Sequence, residues 1–315
     1  MTSHRSISRL LLVLLTLVFF NSTAHAQTLK FAWPDGASAK VQARSQGRRT
    51  TQNNTRNWDM TSDFTMGVQR TADRVVISRE GFSGWKGTFP PSLSGGPERF
   101  VDMIPITIVS TDGTFIGIEG QETARKQMTH ALEQSGALHP VIQAALPSLT
   151  SDASLQAMAA ATWAALVGYW RDVELDPAQS YAIRDVVPLP HLGSVKLDAA
   201  GTIRFIKETG CALGPDDGRC VELLAEIATD RDQANKLLKS MLQKAGANDP
   251  RITGFEQRFK LSIVVDKRTM LPQQLTMTRV QSVEFESSNQ SFSEEVTKTM
   301  NFAWVLRQES KKSSP

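Results

Sequence analysis

The stretch Arg56-Asn57-Trp58-Asp59-Met60-Thr61-Ser62-Asp63-Phe64-Thr65-Met66-Gly67-Val68 decides the fold class. Its even positions carry Trp58, Met60, Phe64, Met66 and Val68, and its odd positions carry Asn57, Asp59, Thr61, Asp63, Thr65 and Gly67. Successive side chains of a strand point to opposite faces, so this period of two marks a strand with one buried face. Thr71-Ala72-Asp73-Arg74 then turns the chain into Val75-Val76-Ile77, which makes the pair a hairpin.

Further strands are expected upstream at Leu29 to Phe31 and Ala39 to Arg44. Downstream, the Gly- and Pro-rich run from Gly81 to Pro97 cannot hold a regular element. It carries Phe82, Trp85 and Phe89, aromatics that either contact a ligand or partner or fold back onto the core. Ile104 to Val109 and Phe115 to Ile118 flank Asp112-Gly113, a dipeptide suited to a tight hairpin turn.

The middle of the chain changes period. Gln121 to Ser135, Val141 to Leu146 and Asp152 to Arg171 are predicted helices, with Ser151 or Asp152 capping the last. That last helix is Ala-rich and uncharged over most of its surface, so it is expected to be buried nearly all round. Val195 to Leu197 and Ile203 to Ile206 suggest a third hairpin turning at Asp198 to Gly201. A long amphipathic helix is expected from Cys220 to Ala245, with Leu224, Ile227, Ala228, Ala234, Leu238 and Met241 on its buried face.

The C-terminal third returns to strands. Phe255, Phe259, Leu261, Ile263 and Val265 share one face, as do Leu275, Met277, Val283 and Phe285. In the last strand Phe292, Val296, Met300, Phe302, Trp304 and Leu306 alternate with Ser293, Glu295, Thr297, Thr299 and Asn301. Strands of this length twist and curl, and they bury their apolar face in a barrel or against helices. The expected class is therefore α+β: a long curved antiparallel sheet, a half-barrel or incomplete barrel, with central helices covering the concave face. Its blocks are a β region at 28–118, helices at 121–171, a hairpin at 193–207, a helix at 220–245 and a meander at 252–307. These form one domain, 27–307, followed by a charged, Ser-rich tail at 308–315.

The N-terminus reads as a secretory signal. Arg5 and Arg9 precede the apolar run Leu10 to Phe20, and Ala24-His25-Ala26 precedes Gln27. A basic start, a core of about 7–15 apolar residues and an A-x-A exit define a cleavable signal peptide. The run is too short to span a bilayer, which needs roughly 20 residues. Cleavage at Ala26/Gln27 would leave a periplasmic or secreted, soluble chain. The formal charge of +3 falls to +1 without Arg5 and Arg9, which gives no electrostatic case for nucleic acid.

Export also bears on Cys211 and Cys220, the two cysteines of the chain. An oxidising compartment and the turn signal Gly214-Pro215-Asp216-Asp217-Gly218 between them point to a local disulfide. The spacing is not that of a C-x-x-C redox pair, and no His flanks it to suggest a metal. His130, His139 and His191 fall on separate segments without metal-ligand spacing, and no nucleophile signature is present. No catalytic, cofactor or metal residue is therefore assigned. Asn53-Asn54-Thr55 and Asn289-Gln290-Ser291 match the short glycosylation pattern.

The run Val265-Asp266-Lys267-Arg268-Thr269-Met270-Leu271-Pro272-Gln273-Gln274-Leu275 resembles the strand, D-x-x-T-x-L-P turn, strand element of bacterial periplasmic lipoprotein carriers and their relatives. That resemblance covers about eleven residues. It implies an incomplete barrel lidded by helices over an apolar cavity that takes acyl chains, and it transfers no functional residue. Three readings stay open: a carrier of an apolar ligand, a structural or assembly partner of the envelope with a filled core, and a hydrolase whose site one sequence does not display. For the carrier, the candidate lining is Trp58, Met60, Phe64, Met66, Met277, Met300, Phe302 and Trp304.

Overall fold

The computed structural model describes residues 27–88, 104–134, 147, 150–188, 196–211, 219–244, 252–285 and 291–306. The segment read as an export signal, Phe89, His139, His191, the helix expected at 141–146 and the C-terminal tail lie outside the described residues.

Among the described residues twelve strands form one antiparallel sheet. They are β1 Ser38–Thr51, β2 Asn54–Arg70, β3 Arg74–Glu80, β4 Lys86–Thr88, β5 Ile106–Ser110, β6 Phe115–Glu119, β7 Tyr181–Pro188, β8 Lys196–Gly210, β9 Arg219–Thr229, β10 Ile252–Asp266, β11 Pro272–Phe285 and β12 Ser291–Val305. The strand order is β6-β5-β3-β2-β1-β12-β11-β10-β9-β8-β7, with β4 pairing β2 off that path. β1 pairs with β12 from Ser38↔Val305 to Thr51↔Phe292, which joins the N-terminal and C-terminal strands. β6 and β7 remain unjoined at the two ends, so the sheet is open.

The alternation in β2 is realised in burial: Trp58, Met60, Phe64, Met66 and Val68 are buried, with Ser62 in phase among them. The main core gathers residues of both halves, including Val41, Phe64, Ile77, Leu223, Ile263, Met300 and Phe302.

Among the described residues three helices interrupt the strands: α1 Gln121–Gln134, α2 Asp152–Trp163 and α3 Arg231–Lys244. Ser151 caps α2, its hydroxyl accepting from the Ser154 backbone N–H. α2 widens into a π-helical turn at Ala164–Gly168. Trp163, Leu166, Val167 and Trp170 join the main core. Ala124 and Met128 of α1 form a second cluster with Ile104, Ile118, Leu155, Met158 and Ala159.

Four expectations from sequence are corrected. The Gly- and Pro-rich run holds a short strand after all, Lys86–Thr88, because β2 offers it a ladder from Asp59↔Thr88 to Thr61↔Lys86. The helix expected from Cys220 is a strand as far as Thr229, and only Arg231–Lys244 is helical. Val221, Leu223, Ala225 and Ile227 are buried in strict alternation, and β9 lies hydrogen-bonded between β8 and β10. Leu, Ala and Glu favour helices, but that weak preference yields to a ladder on both sides. The hairpin expected at 193–207 is also absent, since Asp198 to Gly201 runs straight through β8. Gly201 is needed there for close approach: a Cβ would stand 2.1 Å from the Glu226 carbonyl oxygen of β9. Finally, Leu29 to Phe31 forms no strand, and the segment makes one isolated bridge, Thr28↔Glu174.

The D-x-x-T-x-L-P turn has a complete physical account. Asp266 Oδ1 accepts from the Arg268 and Thr269 backbone N–H groups and from the Thr269 hydroxyl. Thr269 Oγ1 in turn accepts from the Leu271 N–H. These local bonds hold Met270 at φ 62, a left-handed conformation uncommon for such a side chain. The Met270 carbonyl receives the Trp33 indole N–H at 3.0 Å, and the Thr269 carbonyl receives the Ala32 N–H. The motif is thus the dock for the N-terminal segment.

Cys211 and Cys220 are bonded, with Cα atoms 5.1 Å apart. Cys220 pairs with Thr209 across the ladder, so the bridge staples β8 to β9 at their connection. Among the described residues no helix is long and apolar enough to cross a membrane.

Candidate functional site

Ala157, Ala160, Ala161, Ala164 and Ala165 recur at helical spacing along α2 and its π-helical turn, which places them on one face. Opposite them the sheet presents Ile227 of β9, Phe259 and Leu261 of β10, and Met277 of β11. The register sets these four side by side, through Phe259↔Ile227 and Leu261↔Met277. Methyl side chains cannot reach across to fill the space, and a cavity of ≈ 220 Å³ remains between helix and sheet. The space is a half-open groove rather than an enclosed void, since Ala157, Ala160, Ala161 and Ala164 are only half-buried and Val186 at its edge is exposed.

The cavity's polar groups sit to one side, on Tyr169, Asp185 and Lys196. Tyr169 donates its phenolic hydrogen to Asp185 Oδ2, while Asp185 Oδ1 accepts from the Val186 N–H at 2.7 Å. Burial, then the hydrogen bond to Asp185 and the Asp185 charge, push the Tyr169 hydroxyl far above the usual phenol range. Tyr169 therefore stays protonated, and its bond ties the end of the α2 segment to the edge strand β7.

Next to this apolar floor the inward face becomes charged. On β12 Lys298 stands opposite Met277 of β11, and on β11 Arg279 stands opposite Phe259 of β10. Arg279 pairs with Glu294 at 2.9 Å, with 6% of each side chain exposed. Arg279 also donates to Gln281 Oε1 at 2.7 Å, and Gln257 faces Gln281 across the next pair. Lys298 is 5% exposed and lies beneath the Trp85 ring, 5.8 Å from its centroid. Sequence reading overlooked these groups. Glu294 and Lys298 occupy the same phase of β12 as Val296, Met300 and Phe302, so the period of two already pointed them inward.

One indole stands apart. Trp33, Trp163 and Trp170 each donate their ring N–H to a backbone carbonyl. Trp58 is 3% exposed, and its Nε1 has no hydrogen-bond partner among the described residues. Its ring lies flat across Gly47, where a Cβ would come within 2.0 Å of the indole. Gly47 pairs with Val296, so this N–H lies over β1 beside the strand that carries Glu294 and Lys298.

Of the lining expected from sequence, Met277 is the residue that borders this cavity among those described. Phe64, Met66, Met300 and Phe302 belong to the main core, and Trp304 packs against it. Trp58 and Met60 pack with Val296 in a small separate cluster. In the loop, Phe82 and Trp85 stack edge to face and pack against the core. The cavity wall itself was missed because alanines carry no functional signature; their helical spacing was the available signal. Among the described residues, no group of three or more His, Cys, Asp or Glu could hold a metal ion.

No family model matches the chain. No curated protein matches it either. Among solved structures, it is similar to DynF from the dynemicin biosynthesis pathway of Micromonospora chersina, at 8% identity and TM-score 0.22, over 91% of this chain and 89% of that one. At that level of likeness no argument about fold or function rests on it.

Proposed function

We propose that this protein is an exported carrier that binds an apolar ligand, most simply an acyl chain, between α2 and the sheet. In this reading the open sheet is a half-barrel, and the central helices lid its concave face. The observation that carries it is the alanine-walled cavity of ≈ 220 Å³ set against Ile227, Phe259, Leu261 and Met277. Sites for drug-sized ligands span roughly 300–1,000 Å³, so this one suits a single chain or a small apolar molecule. The basic, apolar N-terminus with its A-x-A exit supports export, and so does the Cys211–Cys220 bridge. The D-x-x-T-x-L-P turn adds the resemblance to lipoprotein carriers.

The test uses a neutral fluorescent probe, N-phenyl-1-naphthylamine, with the folded protein. The wild type is expected to bind it saturably, and Ala161→Leu, which fills the cavity from the helix side, abolishes binding without lowering the melting temperature. If the region is instead a filled core, the wild type binds no probe. The same substitution then overpacks the site at a cost of about 1–3 kcal/mol.

A further inference from the structure

The groove has one charged wall residue whose own bonds leave it incomplete. Asp185 borders the groove together with Tyr169, Phe259 and Met277. It lies in the inward phase of β7 with Ile183 and Val187, and it is half-buried. Its carboxylate accepts from two neutral donors, the Tyr169 hydroxyl and the Val186 N–H. An ionised carboxylate offers about four acceptor sites, so half of that capacity stays open. Among the described residues no cation forms an ion pair with it. Arg184, its neighbour on β7, lies in the exposed phase of that strand. Lys196 also borders the groove, but it stands opposite Pro188 in the exposed phase of β8. From Asp185 to Pro188 is roughly 10 Å of strand. A carboxylate drawn partly out of water beside an apolar floor is costly until a cation pairs with it.

From this placement we infer that the ligand is an amphiphile with an ammonium head on a single alkyl chain. The chain lies along Ala157, Ala160, Ala161 and Ala164, against Leu261 and Met277. The ammonium donates to the open side of the Asp185 carboxylate. The rings of Tyr169 and Phe259 border the same groove and offer the cation a second favourable surface. Because the groove is half-open, the remaining N–H groups of the head reach water. Tyr169 acts through its hydroxyl as a positioning residue that fixes the carboxylate. The inference rests on the groove being a ligand site.

The experiment compares decylamine, 1-decanol and decanoate at neutral pH, below micelle formation, by displacement of N-phenyl-1-naphthylamine from the folded protein. Wild type is expected to bind decylamine about tenfold tighter than decanol, the scale of one charge-assisted hydrogen bond. Decanoate, repelled by Asp185, should bind more weakly than decanol. Asp185→Asn keeps an oxygen to accept from Tyr169 and deletes the charge, so the preference for the amine should vanish. Tyr169→Phe cuts the same tie between α2 and β7 but keeps the carboxylate, so the preference should survive. A purely structural Tyr169–Asp185 bond predicts no amine preference in any of the three proteins. Equal affinity for decylamine and decanol in wild type overturns the head-group assignment, leaves the apolar groove standing, and needs no variant to fold. A preference that persists in Asp185→Asn, or is lost in Tyr169→Phe, overturns it too. If no dye binds wild type, the carrier reading itself falls, and this inference with it.

Discussion

The Arg279–Glu294 pair is expected to behave as a buried ion pair, and that behaviour can be worked through quantitatively. Its atoms are 2.9 Å apart and each side chain is 6% exposed. At an effective dielectric constant near 20, that separation corresponds to an attraction of roughly 6 kcal/mol before desolvation. Desolvation of each ion costs several kcal/mol, so the net value of the pair is small while the value of either partner, given the other, is large. Glu294→Leu removes the carboxylate and leaves the Arg279 charge in the interior. The expected loss is about 3–5 kcal/mol of unfolding free energy. Adding Arg279→Met removes the charge as well, at the expense of the hydrogen bond to Gln281. The double variant should recover at least about 2 kcal/mol of the loss. Equilibrium urea unfolding, followed by far-ultraviolet circular dichroism and tryptophan fluorescence, measures all three proteins. A Glu294→Leu loss under about 1 kcal/mol, the value of an exposed pair, would refute the reasoning. So would a double variant no more stable than the single.

Gly201→Ala should open the β8–β9 ladder, because its Cβ meets backbone rather than a movable side chain; a loss of about 1–3 kcal/mol, with faster amide exchange at Ile227 than in wild type, checks it. Asp112 is held down to about 2 by the Ser110 hydroxyl first and the Thr114 N–H next, against an ordinary 3.8. A depressed carboxyl stabilises the fold above its unfolded value and loses that contribution as pH falls through the folded one. Wild type should therefore exceed Asp112→Asn in stability at neutral pH by a small margin that shrinks between pH 3.8 and about 2, read from acid unfolding curves of both proteins. Replacing Cys211 and Cys220 together by Ser should lower stability by roughly 2–3 kcal/mol by the chain-entropy model, measured against the oxidised wild type by urea unfolding.

Period-two patterning was enough to locate most strands from the chain alone, because a strand with one face in the core must alternate. Trp58 to Val68, Phe255 to Val265 and Phe292 to Trp304 all declare their buried face this way. The Asp266–Thr269 turn and the Cys211–Cys220 staple were legible for a similar reason: each is settled by residues close together in sequence. What failed locally was the stretch Val221 to Thr229, whose Leu, Ala and Glu content suits a helix. Only its neighbours β8 and β10, which satisfy its backbone on both sides, make it a strand. The site depends on tertiary structure still more. Alternation points Glu294 and Lys298 inward, but their company comes from register: Arg279 lies diagonally across from Glu294, and Met277 directly opposite Lys298. The alanines of α2 could equally have sealed a tight contact with the sheet. Whether small side chains close a gap or leave one is set by the distance between the surfaces that carry them, and that distance is a property of the folded chain alone.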